Sequence, residues 1–503
     1  MTKFFVPSLA VICLIASAAL AADKESQASW PQFRGPSGQG IGEGSLRLPV
    51  DFGPAKKVIW KSPLPRGHSS PCIWDDHIYV TGFDPKIKKL ETICLDRASG
   101  KVVWRQAAPT QKLERVHQLN TLASSTPACD GAQVYVYFGS YGLLCYDRNG
   151  ELKWQRPLEP IPTTFGSATS PVVAGELVLL NSGKGQFNFT LLALDRRTGK
   201  TVWQKDRPRG FATGLWSTPV IRQTAQGGQV IVTGGQQVVA YSLADGSVCW
   251  QLAGLPAVSL STPVVGDGLL FLTLTNPIGD VDENVVKLLP FDEMLTKYDK
   301  NKDGKLSADE LPNDLVLFTR NRPDKIGNWA KVRDMLAMYD RDKDKALNRE
   351  EWQELTRSTA QMTAGMDIAV AAVRLDGQGD ISKTHVVWKE GKQVPEVPSP
   401  LYHQGRLYLV RETGVVTCRD AQTGKEIYRA RLGARGTCYC SPVFGDGKIY
   451  VGTDGGVLVV FKPGDRFEVL ARNDLREGIV ATPALVENRI YVRTERQLIA
   501  FGE

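Results

Sequence analysis

Histidine is scarce in this chain. Five residues among 503 leave no His-rich ligand cluster, and no isolated Ser/His/Asp constellation is legible, so neither histidine-based metal catalysis nor triad hydrolysis is indicated. Basic runs are missing as well. The formal charge of +7 is small for the length and nowhere concentrated, which argues against a nucleic-acid partner. Beyond the first 21 residues no apolar run is long enough to cross a bilayer. No two cysteines are adjacent. What remains, 42% hydrophobic and 23% charged residues, is the composition of a soluble globular protein, long enough for one large repeat domain plus an insertion.

The first 21 residues read as a secretory signal. Lys3 supplies the positive start, Phe4 to Leu20 the apolar core, and Ala19 to Ala21 a small-residue cleavage site. Cys13 follows the bulky Ile12 where a lipoprotein signal wants a small residue, so no lipid anchor is expected. Export makes disulfides chemically accessible to the other eight cysteines. Cys94, Cys145 and Cys418 nevertheless occupy the position that Ala193 holds in a repeated unit, and Cys72 matches Val172 and Val264; these read as small buried strand positions. Cys438 and Cys440 are the only close pair in sequence, and their pairing stays open.

The repeated unit is clearest from Leu191 to Trp203: an apolar alternation, Asp195, a turn through Thr198 and Gly199, and a second alternation ending on tryptophan. Such period-2 patterning about a glycine turn predicts a β-hairpin. The unit recurs before Trp104, Trp154, Trp250 and Tyr428. A Ser/Thr-Pro dipeptide opens each copy, at Pro71, Pro127, Pro171, Pro219, Pro263, Pro400, Pro442 and Pro483, where a proline costs no ladder hydrogen bond. Eight starts at intervals of about forty to fifty residues predict an all-β, eight-bladed propeller of four-stranded blades. The eighth unit ends at Phe501 without an outer strand. The orphan strand at Lys57 to Trp60 supplies it, so the N-terminal strand is expected to close the ring and remove two sheet edges. The turn-rich segment from Trp30 to Gly40 is expected to lie on the surface as an extended arm.

These residues resemble the quinoprotein-type propeller family, whose Ala-x-Asp-x-x-Thr-Gly-x-x-x-Trp repeat is matched best by Ala193, Asp195, Thr198, Gly199 and Trp203. The resemblance extends to exported propellers of the BamB type, which carry the repeat without a quinone. It implies that the tryptophans dock neighbouring blades together.

One interval is too long. Between the strands Leu269 to Thr275 and Asp367 to Leu375 lie some ninety extra residues, from Asn276 to Gly365. They contain a twelve-residue loop with the EF-hand ligand spacing: side-chain oxygens at Asp299, Asn301, Asp303 and Ser307, the carbonyl of Lys305, and the closing Glu310, with Gly304 at the sharp turn. A second loop places Asp340, Asp342, Asp344, the Ala346 carbonyl, Asn348 and Glu351 at the same positions, with Lys345 where glycine is expected. Phe291, Met294, Leu295 and Tyr298 give the preceding helix an apolar face, and Trp329, Val332, Leu336 and Trp352 do so around the second loop. Leu306 and Leu347 occupy the position that joins paired loops by a short strand contact. Two calcium ions are expected, the first held more tightly. The chain thus divides into a signal peptide (1–21), an arm (22–56), propeller segments 57–275 and 366–503, and an EF-hand pair inserted in the fifth blade (276–365).

In quinoprotein dehydrogenases the resemblance would place PQQ in the central funnel, beside a calcium ion, an aspartate base and a ring of adjacent cysteines. This chain lacks the cysteine pair and is short for that class, so PQQ is not expected. The segments before each blade start would line one mouth of the channel with His68, Asn120, Trp216, Glu396, Arg435 and Tyr439. The reading is an exported, non-catalytic binding or scaffold propeller whose partner is another envelope or extracellular protein, located in the periplasm, at the cell surface or outside. A quinone-dependent dehydrogenase is the alternative.

Overall fold

Each repeat forms one antiparallel sheet, and each sheet runs outward from the Ser/Thr-Pro start. The third unit shows the pattern: Val172–Ala174, Leu177–Lys184, Asn188–Asp195 and Thr201–Pro208 lie side by side in chain order. The middle strands are apolar on both faces because each blade is sandwiched between two others; Leu179, Leu180, Ala193 and Leu194 have no exposed surface. Eight such sheets make the ring. This computed structural model describes residues 29–503 except 45–46, 161–162, 164, 185–187, 209–215, 235, 256–259, 276–284, 322–325 and 364–367. The signal-peptide reading, the outer ends of the insertion and the side chain of Trp329 lie outside the described residues.

Ring closure comes from Val58–Pro63, which pairs antiparallel with Gln497–Gly502 and sets Trp60 opposite Ala500. Sequence position 58 and position 501 therefore share one sheet. A lock repeated between blades explains the motif. The indole N–H of Trp60 donates to the carbonyl of Arg97 (3.0 Å), Trp104 to Arg148 (2.8 Å), Trp154 to Arg196 (2.9 Å), Trp203 to Leu243 (3.0 Å) and Trp388 to Ala421 (2.9 Å). Each acceptor lies in the turn of the next blade. The turn glycine lies under the same ring: a Cβ on Gly199 would stand 2.6 Å from the Trp154 indole, and one on Gly150 2.7 Å from Trp104. Gly199 also has φ +67°, so conformation and space both demand glycine there. Asp195 fixes the turn by accepting from the amide and hydroxyl of Thr198 (both 2.8 Å), and these bonds hold its carboxyl below the usual range. Trp250 departs from the rule. It is fully buried, its indole N–H has no acceptor among the described residues, and Gly379–Asp380 pairs in parallel with its strand instead.

The arm is not on the surface, and here the structure corrects the expectation. Trp30 and Arg34 have no exposed surface at all. Ser29–Trp30 extends the first blade along Cys72–Trp74, and the Pro31 carbonyl accepts from Cys129 N (2.8 Å) on the second. Arg34 Nη2 then donates to the Pro400 carbonyl (2.7 Å) of the sixth blade, Gln39 Oε1 accepts from Val265 N (2.9 Å) of the fifth, and Gly40 and Gly42 bond the backbone of Phe444 in the seventh. A segment bonded to blades on both sides of the ring crosses its axis. Its many exchangeable partners on the inner strands outweigh the solvent preference of a Gly- and Pro-rich stretch.

The long interval holds α1 (Phe291–Tyr298), α2 (Val332–Tyr339), α3 (Arg349–Thr363) and a hairpin, Val316–Asn321 with Ile326–Lys331. These are the three α-helices among the described residues. The insertion enters between Leu269–Leu274 and Ala369–Arg374, which pair with Leu274 opposite Ala369. It has a small core of its own, with Phe291, Met294, Leu306, Leu336, Leu347 and Trp352 packed together.

Candidate functional site

Two places concentrate polar groups that local packing does not explain: the loops of the insertion and the central channel.

The first loop wraps its closing carboxylate inward. Glu310 Oε1 accepts from Lys300 N (3.0 Å), and Oε2 accepts from Ser307 N (2.9 Å) and Oγ (2.7 Å). Asp299 Oδ2 accepts from Gly304 N (3.0 Å), Asn301 Oδ1 from Asp303 N (2.9 Å), and Asp303 Oδ1 from Lys305 N (2.8 Å). Gly304 makes the turn at φ +76°. Asp299 Oδ1 is buried and has no hydrogen-bond partner among the described residues. A buried carboxylate oxygen left without a donor is costly unless a cation completes it.

The second loop repeats the geometry. Glu351 Oε1 accepts from Arg341 N (2.7 Å) and Oε2 from Asn348 N (2.9 Å). Asp340, Asp342 and Glu351 bring one carboxylate oxygen each within 4.8 Å of one another. Leu306 pairs with Leu347 and Ser307 with Ala346, so the loops lie back to back. Lys345 takes φ +72°, the conformation of Gly304, without glycine's freedom. One contact was not legible in the sequence: the Lys305 ammonium reaches across to Asp344 and to Asp342 (3.5 Å). Only the pairing of the loops brings that lysine to the second set of carboxylates.

The channel is built from the blade starts. In seven of the eight blades the residue before the starting proline donates its amide to the hydroxyl of the corresponding residue in the next blade, from Ser70 to Thr126 and on through Ser170, Thr218, Thr262, Ser399 and Ser441 to Thr482, at 2.9–3.2 Å. Extended by the proline that follows it, this residue has an N–H facing the axis, where no strand can pair it. A neighbouring hydroxyl satisfies it. The signal was visible, since Ser or Thr precedes every one of the eight prolines, but its role needed the ring.

The space inside is a cavity of about 210 Å³. Phe33 of the arm lines it together with Phe165, Trp216 and Tyr439. Trp216 donates its indole N–H to the Gly166 carbonyl (2.9 Å) and meets Phe165 edge-on (5.8 Å between ring centres). Of the six expected mouth residues, His68, Asn120, Trp216 and Tyr439 line the cavity. Arg435 turns away to Asp474 (2.7 Å) and the Gly455 carbonyl (2.9 Å), while the Glu396 amide donates to Glu412 (2.9 Å). Neither lines the cavity. Burial, then Arg493 and Arg66, push the His68 imidazole down to about 3, so it is neutral at physiological pH. No carboxylate or guanidinium lines the cavity among the described residues.

An eight-bladed propeller closed by its N-terminal strand, docked by tryptophan and capped by its arm, is the class of protein this geometry defines. The sequence matches the family described as outer membrane protein assembly factor BamB over residues 51–206, 187–307, 370–466 and 412–502, and the chain belongs to that family. No curated protein matches it. Among solved structures it is similar to BamB from Moraxella catarrhalis (14% identity, 92% of this chain and 97% of that one, TM-score 0.46) and to the computationally designed Ika8 protein (10%, 89% and 100%, 0.49). It is also similar to a europium-containing methanol dehydrogenase (12%, 95% and 98%, 0.53). At such identities the likeness concerns the fold. Among the described residues, no helix is long and apolar enough to cross a membrane.

Proposed function

We propose that this chain is an exported, non-catalytic binding or scaffold propeller that docks another envelope or extracellular protein, and that its insertion is an EF-hand pair binding two calcium ions. The observation that carries the calcium reading is the buried Asp299 Oδ1, without a hydrogen-bond partner among the described residues, in a loop whose glycine, carbonyl and closing glutamate follow the twelve-residue spacing. Constitutive occupancy suits an exported module, because calcium is abundant there. Membership in a family described as an outer membrane protein assembly factor supports a partner in the envelope. The hydroxyl and aromatic lining of the channel supports a role without PQQ: a quinone bearing several carboxylates would find neither a guanidinium nor an aspartate base among the described lining residues.

Calorimetric titration of chelator-treated protein with calcium is expected to show two binding events; none would overturn the calcium reading. Adding PQQ and calcium is expected to leave the quinone spectrum that of the free cofactor. A bound and alcohol-reducible quinone would instead establish the dehydrogenase alternative. Pull-down from an envelope extract then identifies the partner.

A further inference from the structure

We propose that Cys72 and Cys129 are an oxidative cross-linking site, forming a disulfide that staples the first blade to the second at their inner strands. The two sulfurs lie 3.2 Å apart, although the residues stand 57 positions apart and belong to different sheets. Both are buried in inner strands, Cys72–Trp74 and Ala128–Cys129. A closure of about 1 Å brings them to a disulfide's bond length. Four other buried cysteines are placed differently. Cys440 is engaged by Gly452 through both its amide N–H (2.8 Å) and its carbonyl (3.2 Å), and Cys94, Cys145 and Cys418 sit in the third strands of three different blades.

The site lies where the existing lock does not reach. Blades one and two are already joined by Trp104 over Gly150, at the outer strand. The cysteine pair would join them at the inner strand, directly beneath the arm, whose Pro31 carbonyl accepts from the Cys72 thiol (3.2 Å) and from Cys129 N (2.8 Å). Burial also holds the Cys129 thiol well above its ordinary range, and exchange needs a thiolate. The bond therefore forms before the arm is seated, while the chain is folding.

The chemistry requires a disulfide oxidant, here represented by oxidised glutathione. One protein thiolate attacks a glutathione sulfur and expels a glutathione thiolate, giving a mixed disulfide. The second protein thiolate attacks the protein sulfur of that intermediate and expels the other glutathione. Two electrons pass from the cysteine pair to glutathione, and the two thiol protons end on the two released glutathione molecules.

The test is to refold the full chain from denaturant in a glutathione redox buffer or in dithiothreitol, alkylate, digest without reduction and analyse by mass spectrometry. A Cys72–Cys129 linked peptide in the first sample, absent from the second, is expected. Both cysteines alkylated, both capped by glutathione, or Cys129 linked elsewhere would overturn the proposal. Melting gives an independent readout: reductant should lower the melting temperature of the oxidised parent and leave that of a Cys72→Ser, Cys129→Ser double variant unmoved. Equal shifts would also overturn it.

Discussion

In the ring, the indole of Trp154 and the glycine beneath it, Gly199, belong to different blades, and the same contact recurs around the circle. In the insertion, Trp352 is seated from within, its indole N–H donating to the Leu289 carbonyl (3.1 Å) of the segment that leads into α1. The ring is thus stabilised by nearest-neighbour interfaces that need every blade present, as in other repeat architectures. The insertion is stabilised by one small core plus loops crowded with carboxylates. Breaking a ring contact should cost stability and leave calcium binding alone; breaking a loop contact should do the reverse.

The largest effect is expected from the ring's seam. Deleting residues through Lys61 removes most of the strand that pairs with Gln497–Gly502 together with the buried arm, and should greatly lower the melting temperature, because two sheet edges open to water and the arm's bonds across the ring are lost. An unchanged melt would sink the closure. Next comes the lock. Trp154→Ala should cost about 3–5 kcal/mol. Gly199→Ala should approach that, since the new Cβ meets the Trp154 ring in a left-handed backbone. Gly175, at φ +58° with nothing within 4 Å of a Cβ, is the control: alanine there should cost only about 1–2 kcal/mol. Denaturant midpoints of the three variants decide whether the contact or the backbone conformation matters more.

Removing the insertion sharpens the contrast. Because Leu274 and Ala369 face each other, a short linker can replace residues 276–365. The ring should keep its cooperative melt while calorimetry shows no calcium binding; a chain that fails to fold would make the insertion part of the propeller core. The smallest effects separate the two loops. Glu310→Gln should weaken the tighter calcium step by roughly ten- to hundredfold, and Glu351→Gln only the weaker one. Lys345→Gly relieves a left-handed lysine and should tighten the second step about five- to thirtyfold. Lys305→Met removes a competing ammonium from Asp344 and Asp342 while leaving its backbone carbonyl in place, a gain of roughly two- to fivefold at the second loop. A parent whose second site is already the tighter one would mean that loop pairing overrides local chemistry.

By itself the sequence determined the repeat, the number of blades, the closing strand and the spacing of the oxygen-bearing residues in the two acidic loops. Each is written locally: period-2 alternation, a turn glycine, a proline at a strand start, a twelve-residue loop. It could also place His68, Asn120, Trp216 and Tyr439 at the channel, because every blade presents the same segment to the same end. Tertiary structure alone decided the rest. It drew the arm across the axis, where Arg34 reaches a carbonyl 366 positions away, and carried the chain on to the outer strand of the seventh blade, where Asn473 clasps Val50 423 positions away. It linked the hydroxyls before the prolines from blade to blade by seven hydrogen bonds, turned Arg435 away to Asp474, and set the thiols of Cys72 and Cys129 side by side. The physical reason is common to all four. Local pattern fixes which way a strand or turn presents its groups, but a partner on another blade exists only once the ring has closed and brought distant segments within hydrogen-bonding reach.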